Sequence, residues 1–233
     1  DTIRAMNDCL GDIAARHKRR IHCIASVDAY DGDISAREAE RAIAELGLRG
    51  IFVDCARGDL LIDAPQARPT LEVAARLGVP VFVHPVNPQP LISQMAPYGR
   101  IATLFARGTV NAAALIALVE GGVFAELPQL RVVVTALAFG GIAMVAAFSS
   151  QSLLPDGAIA TMRKHVYVDT MGFNPALIGA SVDILGADKV IAGSDWPIVN
   201  DRPIAGLLMK ALDAAGLDAD AQQAIASGNA RDL

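Results

Sequence analysis

The sequence predicts an α/β fold of repeated strand–helix units around a parallel sheet, and three observations carry that reading. Six short runs are almost wholly apolar and β-branched rather than alternating, as strands covered on both faces are. Helical patterns fill the spaces between them. The order helix, glycine, short loop, strand recurs at Leu46-Gly47, Leu77-Gly78 and Leu185-Gly186, which is the grammar of parallel strands joined by right-handed crossovers.

The six strand runs are Ile21–Val27, Gly50–Asp54, Pro80–His84, Arg131–Thr135, Val166–Thr170 and Val190–Ser194. A helical stripe opens the chain, with Ile3, Met6, Leu10, Ile13 and Ala14 on one face. Ser35–Leu46 places Ala39, Ile43 and Leu46 on a stripe, with Ser35 as N-cap and Glu38 as its capping-box partner. Arg68–Leu77 stops at Gly78. Asn87–Arg107 reads as a long covering loop, and the helix after it spans Asn111–Phe124. Pro175–Leu185 carries a proline in its first turn. Helices over Pro203–Ala215 and Asp220–Ser227 close the chain. No linker or low-complexity segment interrupts this order, so residues 1–233 are expected to form one domain.

An open dinucleotide-binding sheet would show G-x-G-x-x-G after an early strand. The sequence has none, and Gly140-Gly141 is only a glycine pair. A (β/α)8 barrel needs eight strands. Six are visible, and with Asp1 in place of a methionine the two absent strands are expected in a preceding segment.

Hydrophobic residues make up 53% and charged residues 19% of the chain, enough for a sizeable core. A net charge of −5 gives no electrostatic footing for nucleic acid or an anionic membrane. No uninterrupted apolar run reaches spanning length, and no signal peptide opens the sequence. Cys9, Cys23 and Cys55 form no C-x-x-C pair and read as reduced thiols of a cytoplasmic protein.

In barrels, function gathers at the carboxyl ends of the strands. Here those ends carry Asp28, Asp54, His84, Thr135, Asp169 and Asp195. Burying such groups on apolar strands is costly without partners or a ligand. His84 suits a metal ligand or a general base, or simply a histidine capping a neighbouring loop. Asp195, in Gly193-Ser194-Asp195-Trp196-Pro197, could ligate a divalent cation, take a proton, or cap a turn. Asp54 and Asp169 are candidates to orient the site. Arg57 and Arg107 could clamp a substrate carboxylate, against the plainer reading of solvated arginines. Trp196 could wall a pocket. His17, His22 and His165 read as surface or strand-start residues.

Together these segments resemble the amidohydrolase-related family known as amidohydrolase 2, which includes the aminocarboxymuconate-semialdehyde decarboxylase group and related lactone hydrolases. The similarity runs through RRIHCIASVD, AIAELGLRGIFVD, ARLGVPVFVHP, GGVFAELPQLRVVVT, VYVDTMGFNP, LGADKVIAGSDWP and IASGNARDL. Val83-His84-Pro85 and Gly193-Ser194-Asp195-Trp196-Pro197 are its most specific parts. The resemblance implies a (β/α)8 barrel whose strands three to eight lie in this chain. It implies one divalent metal ion, zinc by family usage, with His84 as the strand-five ligand and Asp195 as the strand-eight aspartate, a ligand or proton acceptor. It also implies a small-molecule substrate and a homodimer. Two features depart from the family: no His-x-His pair is present, and Ala136 stands where a strand-six histidine is expected. An alanine moves no proton, so a metal-free site is an open alternative.

Three functions follow. The first is a metal-dependent hydrolase of a small carboxylate-bearing ester, lactone or amide, with Asp195 handling the proton. The second is a non-oxidative decarboxylase of an aromatic or muconate-type acid, oriented by an arginine such as Arg107. The third is a degenerate barrel without catalysis.

Overall fold

The computed structural model describes residues 2–18, 20–135, 138–196, 198 and 204–233. All six runs form strands: β1 (Ala25–Ser26), β2 (Ile51–Asp54), β3 (Val81–His84), β4 (Val132–Val134), β5 (Val166–Asp169) and β6 (Val190–Ile191). They make one sheet in chain order, and every neighbouring pair is parallel. Winding in a single direction is the barrel arrangement, since a doubly wound sheet would reverse its strand order midway. The sheet supplies six of the eight strands of a (β/α)8 TIM barrel.

Alternation along the strands separates two faces. Ile51, Val53, Val81, Val83, Val166 and Val168 are buried in the main apolar core with the helices. The residues between them point the other way by the two-residue repeat of a strand. That second face therefore carries Phe52 and Asp54 on β2, Phe82 and His84 on β3, and Tyr167 and Asp169 on β5. It is the inner face of the barrel.

The longer helices are α1 (Thr2–Arg16), α2 (Asp33–Ala44), α3 (Arg68–Leu77), α4 (Arg100–Glu120), α5 (Phe139–Ala147), α6 (Ala158–His165), α7 (Pro175–Leu185) and α8 (Ile204–Ala214). α3 ends at Gly78 in the left-handed conformation, and α7 begins under an Asn174 cap whose side chain accepts from the Leu177 N–H.

Two expectations need correction. The segment 87–107 is no open loop: a short helix covers Leu91–Met95, and α4 starts at Arg100, eleven residues before its predicted start. Ser35 and Glu38 form no capping box. Ser35 lies inside α2 and its hydroxyl donates to the Asp28 carbonyl, while Glu38 takes hydrogen bonds from Arg41 and Asn7. Of the two readings of His165, surface or strand start, the structure gives the second: it directly precedes β5 and is 4% exposed. Its Nδ1 lies 2.9 Å from the Leu130 carbonyl, its ring stacks on Phe124, and burial holds its pKa below the ordinary value.

Among the described residues one helix, α4, is long and apolar enough to cross a membrane by length and composition, with 33% of its apolar window buried.

Candidate active site at the strand ends

Asp54 and His84 are partners in the β2–β3 register, so both side chains leave the inner face at the carboxyl end of the sheet. His84 Nδ1 lies 3.7 Å from Asp54 Oδ1. This is an ion-pair separation if the ring is charged, and longer than a hydrogen bond. Phe52 packs against the ring at 4.9 Å between centroids, fixing its tilt. Asp54 is in turn braced through its backbone, because its carbonyl accepts from the Tyr30 hydroxyl at 3.3 Å. Burial, then nearby Cys55 and the carboxylates, hold that phenol above its usual range. Tyr30 therefore stays a donor at any physiological pH.

Arg107, on α4, reaches the same corner. Its guanidinium donates to Asn87 Oδ1 at 3.0 Å, on the loop that leaves His84. It also opposes the upward pKa shift of the Cys55 thiol, which burial pushes up to about 11. Asp54, Cys55, His84 and Arg107 thus share one end of the β2–β3 pair. Arg57 is placed differently. On the hairpin Ala56–Arg57 with Leu60–Leu61, it donates to Asp28 at 2.9 Å, to Asp31 at 2.6 Å and to the Tyr30 carbonyl at 2.8 Å. Two carboxylates already answer its charge, and the Tyr30 ring lies 5.4 Å beneath it.

The second half of the site sits on β5 and β6. The Thr170 hydroxyl accepts from the Gly193 N–H at 3.1 Å and meets the Gly193 carbonyl at 3.2 Å. The Thr170 N–H donates to the Ile191 carbonyl at 3.0 Å. Gly193 is required here, since an added Cβ would stand 2.6 Å from the Asp169 Cβ. Asp169 holds the Met171 N–H at 2.8 Å. Two residues beyond Gly193, Asp195 adopts φ 52°, the left-handed region that non-glycine residues rarely occupy. It is exposed, as is Trp196, whose N–H donates to the Ser194 hydroxyl at 3.2 Å.

All these groups lie at one end of one sheet. His84 and Asp195 are separated by three strand spacings, roughly 14 Å along the arc. Among the described residues no three His, Cys, Asp or Glu side chains come together where a metal ion could be held. A zinc centre therefore does not fit the described residues alone. Ala136, the position of the expected histidine, lies outside the described residues. Asp54 was sought from the sequence as an orienting group. Tyr30 and Asn87 were not, because a tyrosine four residues past β1 and an asparagine in a proline-rich loop carry no pattern of their own.

The family model described as Amidohydrolase matches residues 1–233. The chain belongs to the amidohydrolase family. Its curated relatives include the gamma-resorcylate decarboxylase of Polaromonas sp., 28% identical over 225 residues, spanning 86% of this chain and 67% of the relative. The 2-amino-3-carboxymuconate-6-semialdehyde decarboxylase of Dictyostelium discoideum is 24% identical, spanning 91% of this chain and 61% of its own length. The chain thus spans about two thirds of the length of these relatives. Among solved structures, 2,6-dihydroxybenzoate decarboxylase from Rhizobium superposes with a TM-score of 0.85 at 23% identity, covering 99% of this chain and 76% of that one. A dihydroxybenzoic acid decarboxylase from Polaromonas, with bound manganese and the inhibitor 2-nitroresorcinol, has a TM-score of 0.85 at 24% identity, covering 99% and 74%. These likenesses show the barrel fold in this amidohydrolase. They also overturn the expectation of an ester, lactone or amide hydrolase, because the named relatives are carbon–carbon lyases.

Proposed function

We propose that this amidohydrolase acts as a non-oxidative decarboxylase of a small aromatic or muconate-type acid. The observation that carries the proposal is the corner where Arg107, tied to Asn87, stands beside the Asp54–His84 pair on the inner face. A cation at the rim of a barrel with carboxylates behind it suits an anionic substrate held by its acid group, and the decarboxylase relatives support the reaction type.

Loss of carbon dioxide leaves an electron pair on the carbon that bore it, and that carbon must gain a proton. Arg107 binds and orients the substrate carboxylate. Asp195, displayed on its left-handed turn, carries the proton to the ring carbon. The carbon–carbon bond then breaks, its electrons return to the ring, carbon dioxide leaves, and water restores the acid form of Asp195. His84, tilted by Phe52 and faced by Asp54, contacts the substrate oxygens next to the carboxylate. Arg57, already neutralised by Asp28 and Asp31, shapes the loop rather than binding substrate, and Trp196 walls the open side. His84 and Asp195 alone would not suffice to hold a divalent ion; with further ligands from outside the described residues such an ion would polarise the substrate oxygens, and no step above runs through it. The three free cysteines suit a cytoplasmic setting.

The test is carbon dioxide release by the purified protein from 2,6-dihydroxybenzoate, related hydroxybenzoates and muconate acids, beside a panel of lactones and esters. Release from an acid, abolished in Asp195→Asn, supports the proposal. Lactone or ester opening without carbon dioxide overturns it.

A further inference from the structure

We infer that Asn229 is a positioning residue for the reaction: it fixes, through β6, the place of Asp195. The inference rests on Asp195 as the proton carrier proposed above. The support beneath that carboxylate is slight, because β6 has only two residues and lies at an edge of the sheet. Toward β5 it is held by the Thr170 N–H on the Ile191 carbonyl and by the Thr170 hydroxyl on Gly193. On its other side no strand pairs with it among the described residues. Backbone donors and acceptors along such an edge need partners from elsewhere.

The closing segment of the chain supplies them. It runs through a short helix, Ala219–Gln223, a π-turn, Ala224–Gly228, and a last helical turn, Asn229–Asp232. The Ile225 carbonyl accepts from the Ala192 N–H at 3.0 Å. The Asn229 side-chain amide donates to the Val190 carbonyl and to the Ala187 carbonyl, each at 2.7 Å. Both donors of one carboxamide are thus spent on β6 and on the turn that enters it. Successive residues of a strand bond to opposite sides, so residues 190–192 are gripped from β5 and from the closing segment alternately. That segment is itself anchored. The Ile225 side chain is fully buried in the main core, Asn229 is buried, and Arg131, just ahead of β4, donates to the Asp232 carbonyl at 3.3 Å. Asp195 follows Ala192 by three residues on an exposed turn, with φ 52° and its carbonyl accepting from the Ile198 N–H at 2.8 Å. An exposed carboxylate has little packing of its own, so its place is inherited from the strand below it. π-turns are rare and frequently mark functional sites.

The sequence contains one tryptophan, Trp196, next to Asp195. Its indole N–H resonance in a proton–nitrogen correlation spectrum therefore reports on this turn without any assay of activity. Asn229→Ala should shift or split that resonance. It should also lower kcat for carbon dioxide release about tenfold or more, with KM within about twofold, since Arg107 holds the acid from α4. Asn229→Ser keeps one donor, should fall between, and carries the test where Asn229→Ala does not fold. The control is Asn7→Ala, at the opposite edge of the sheet. There the buried Asn7 amide donates to the Ser26 carbonyl at 3.1 Å and accepts from its N–H at 2.9 Å. Asn7→Ala should lower the melting temperature but leave the indole resonance and the kcat of the folded protein unchanged. An unmoved indole resonance in the Asn229 variants overturns the inference, and so does an equal change of resonance or kcat in Asn7→Ala. A wild-type chain that releases no carbon dioxide refutes the decarboxylase reading separately, and the indole comparison then still decides whether Asn229 sets the turn.

Discussion

Substituting Gly193 tests how tightly the strand-end site is built. The Cβ of Gly193→Ala would stand 2.6 Å from the Asp169 Cβ and 2.9 Å from its Cγ. Relief to ordinary carbon–carbon contact requires a displacement of roughly 1 Å. Neither side yields freely. Gly193 is pinned at both its N–H and its carbonyl by the Thr170 hydroxyl, and Asp169 is pinned by the Met171 N–H. Overpacking of this kind costs about 1–3 kcal/mol. At roughly 2–4 °C per kcal/mol for a chain of this size, the melting temperature should fall by about 2–12 °C. The displacement passes to Asp195, two residues on, and if Asp195 is the proton donor proposed above, a misplacement of roughly 1 Å costs about a hundredfold in rate. Scanning calorimetry and the carbon dioxide assay, run on the same preparation, read the two effects. Gly206→Ala is the control: it lies in α8 with no atom within 4 Å of an added Cβ, so it should be neutral or stabilise by up to about 1 kcal/mol. Gly193→Ala with wild-type melting and wild-type rate would refute the close approach of β5 and β6 that positions Asp195.

Further tests address other residues. Arg107→Ala should raise KM for an aromatic acid by roughly tenfold or more, whereas Arg57→Ala should leave KM within about twofold and cost no more than about 1 kcal/mol in stability, as exposed ion pairs do; the reverse order would reassign the carboxylate anchor. Cys55, buried with its thiol pushed up to about 11, should resist a thiol reagent at pH 8 in the native protein while exposed Cys9 reacts, which mass mapping of the labelled peptides would show. His165 has its pKa lowered first by burial, so the unfolded chain binds the extra proton. The stability it contributes is complete above its unfolded value near 6.5 and is lost as the pH falls below that value. Thermal melts from pH 7.5 to 5 should therefore fall less steeply in His165→Gln than in the wild type, and parallel profiles would contradict this.

The strands were legible because burial on both faces forces continuous apolar runs, and all six appear within the predicted spans, although β1 and β6 keep only two residues each. The start of α4 was not legible. Pro97 and Gly99 stand just ahead of it, and Gly99 takes φ 83° and turns the chain directly into the helix. The misplaced cap of α2 has a similar origin. Ser35 and Glu38 have the capping spacing, but Ser35 lies buried inside α2 with its hydroxyl on the Asp28 carbonyl, and Arg41 and Asn7 take the Glu38 carboxylate. His165 has the look of a surface residue beside Lys164, and only the distant Leu130 carbonyl and Phe124 ring explain its burial. Arg57 and Arg107 were equivalent in the sequence. What separates them is tertiary: Asp28 and Asp31 fold back onto one, while the side-chain hydrogen bond of the other, among the described residues, goes to the neutral Asn87. The reaction type was the least legible, since hydrolysis and decarboxylation draw on the same strand-end residues, and only the named relatives, which are decarboxylases, speak against the first.

The account rests on Arg107, His84 and Asp195 serving one bound acid from different strands. A crystal structure with 2-nitroresorcinol or a hydroxybenzoate bound measures this directly. The account predicts the ligand on the inner face, its anionic oxygens within hydrogen-bond reach of Arg107 and His84, and its reacting ring carbon facing the Asp195 carboxylate. A ligand seated elsewhere, or His84 and Asp195 turned toward opposite rims with no shared space, would contradict it.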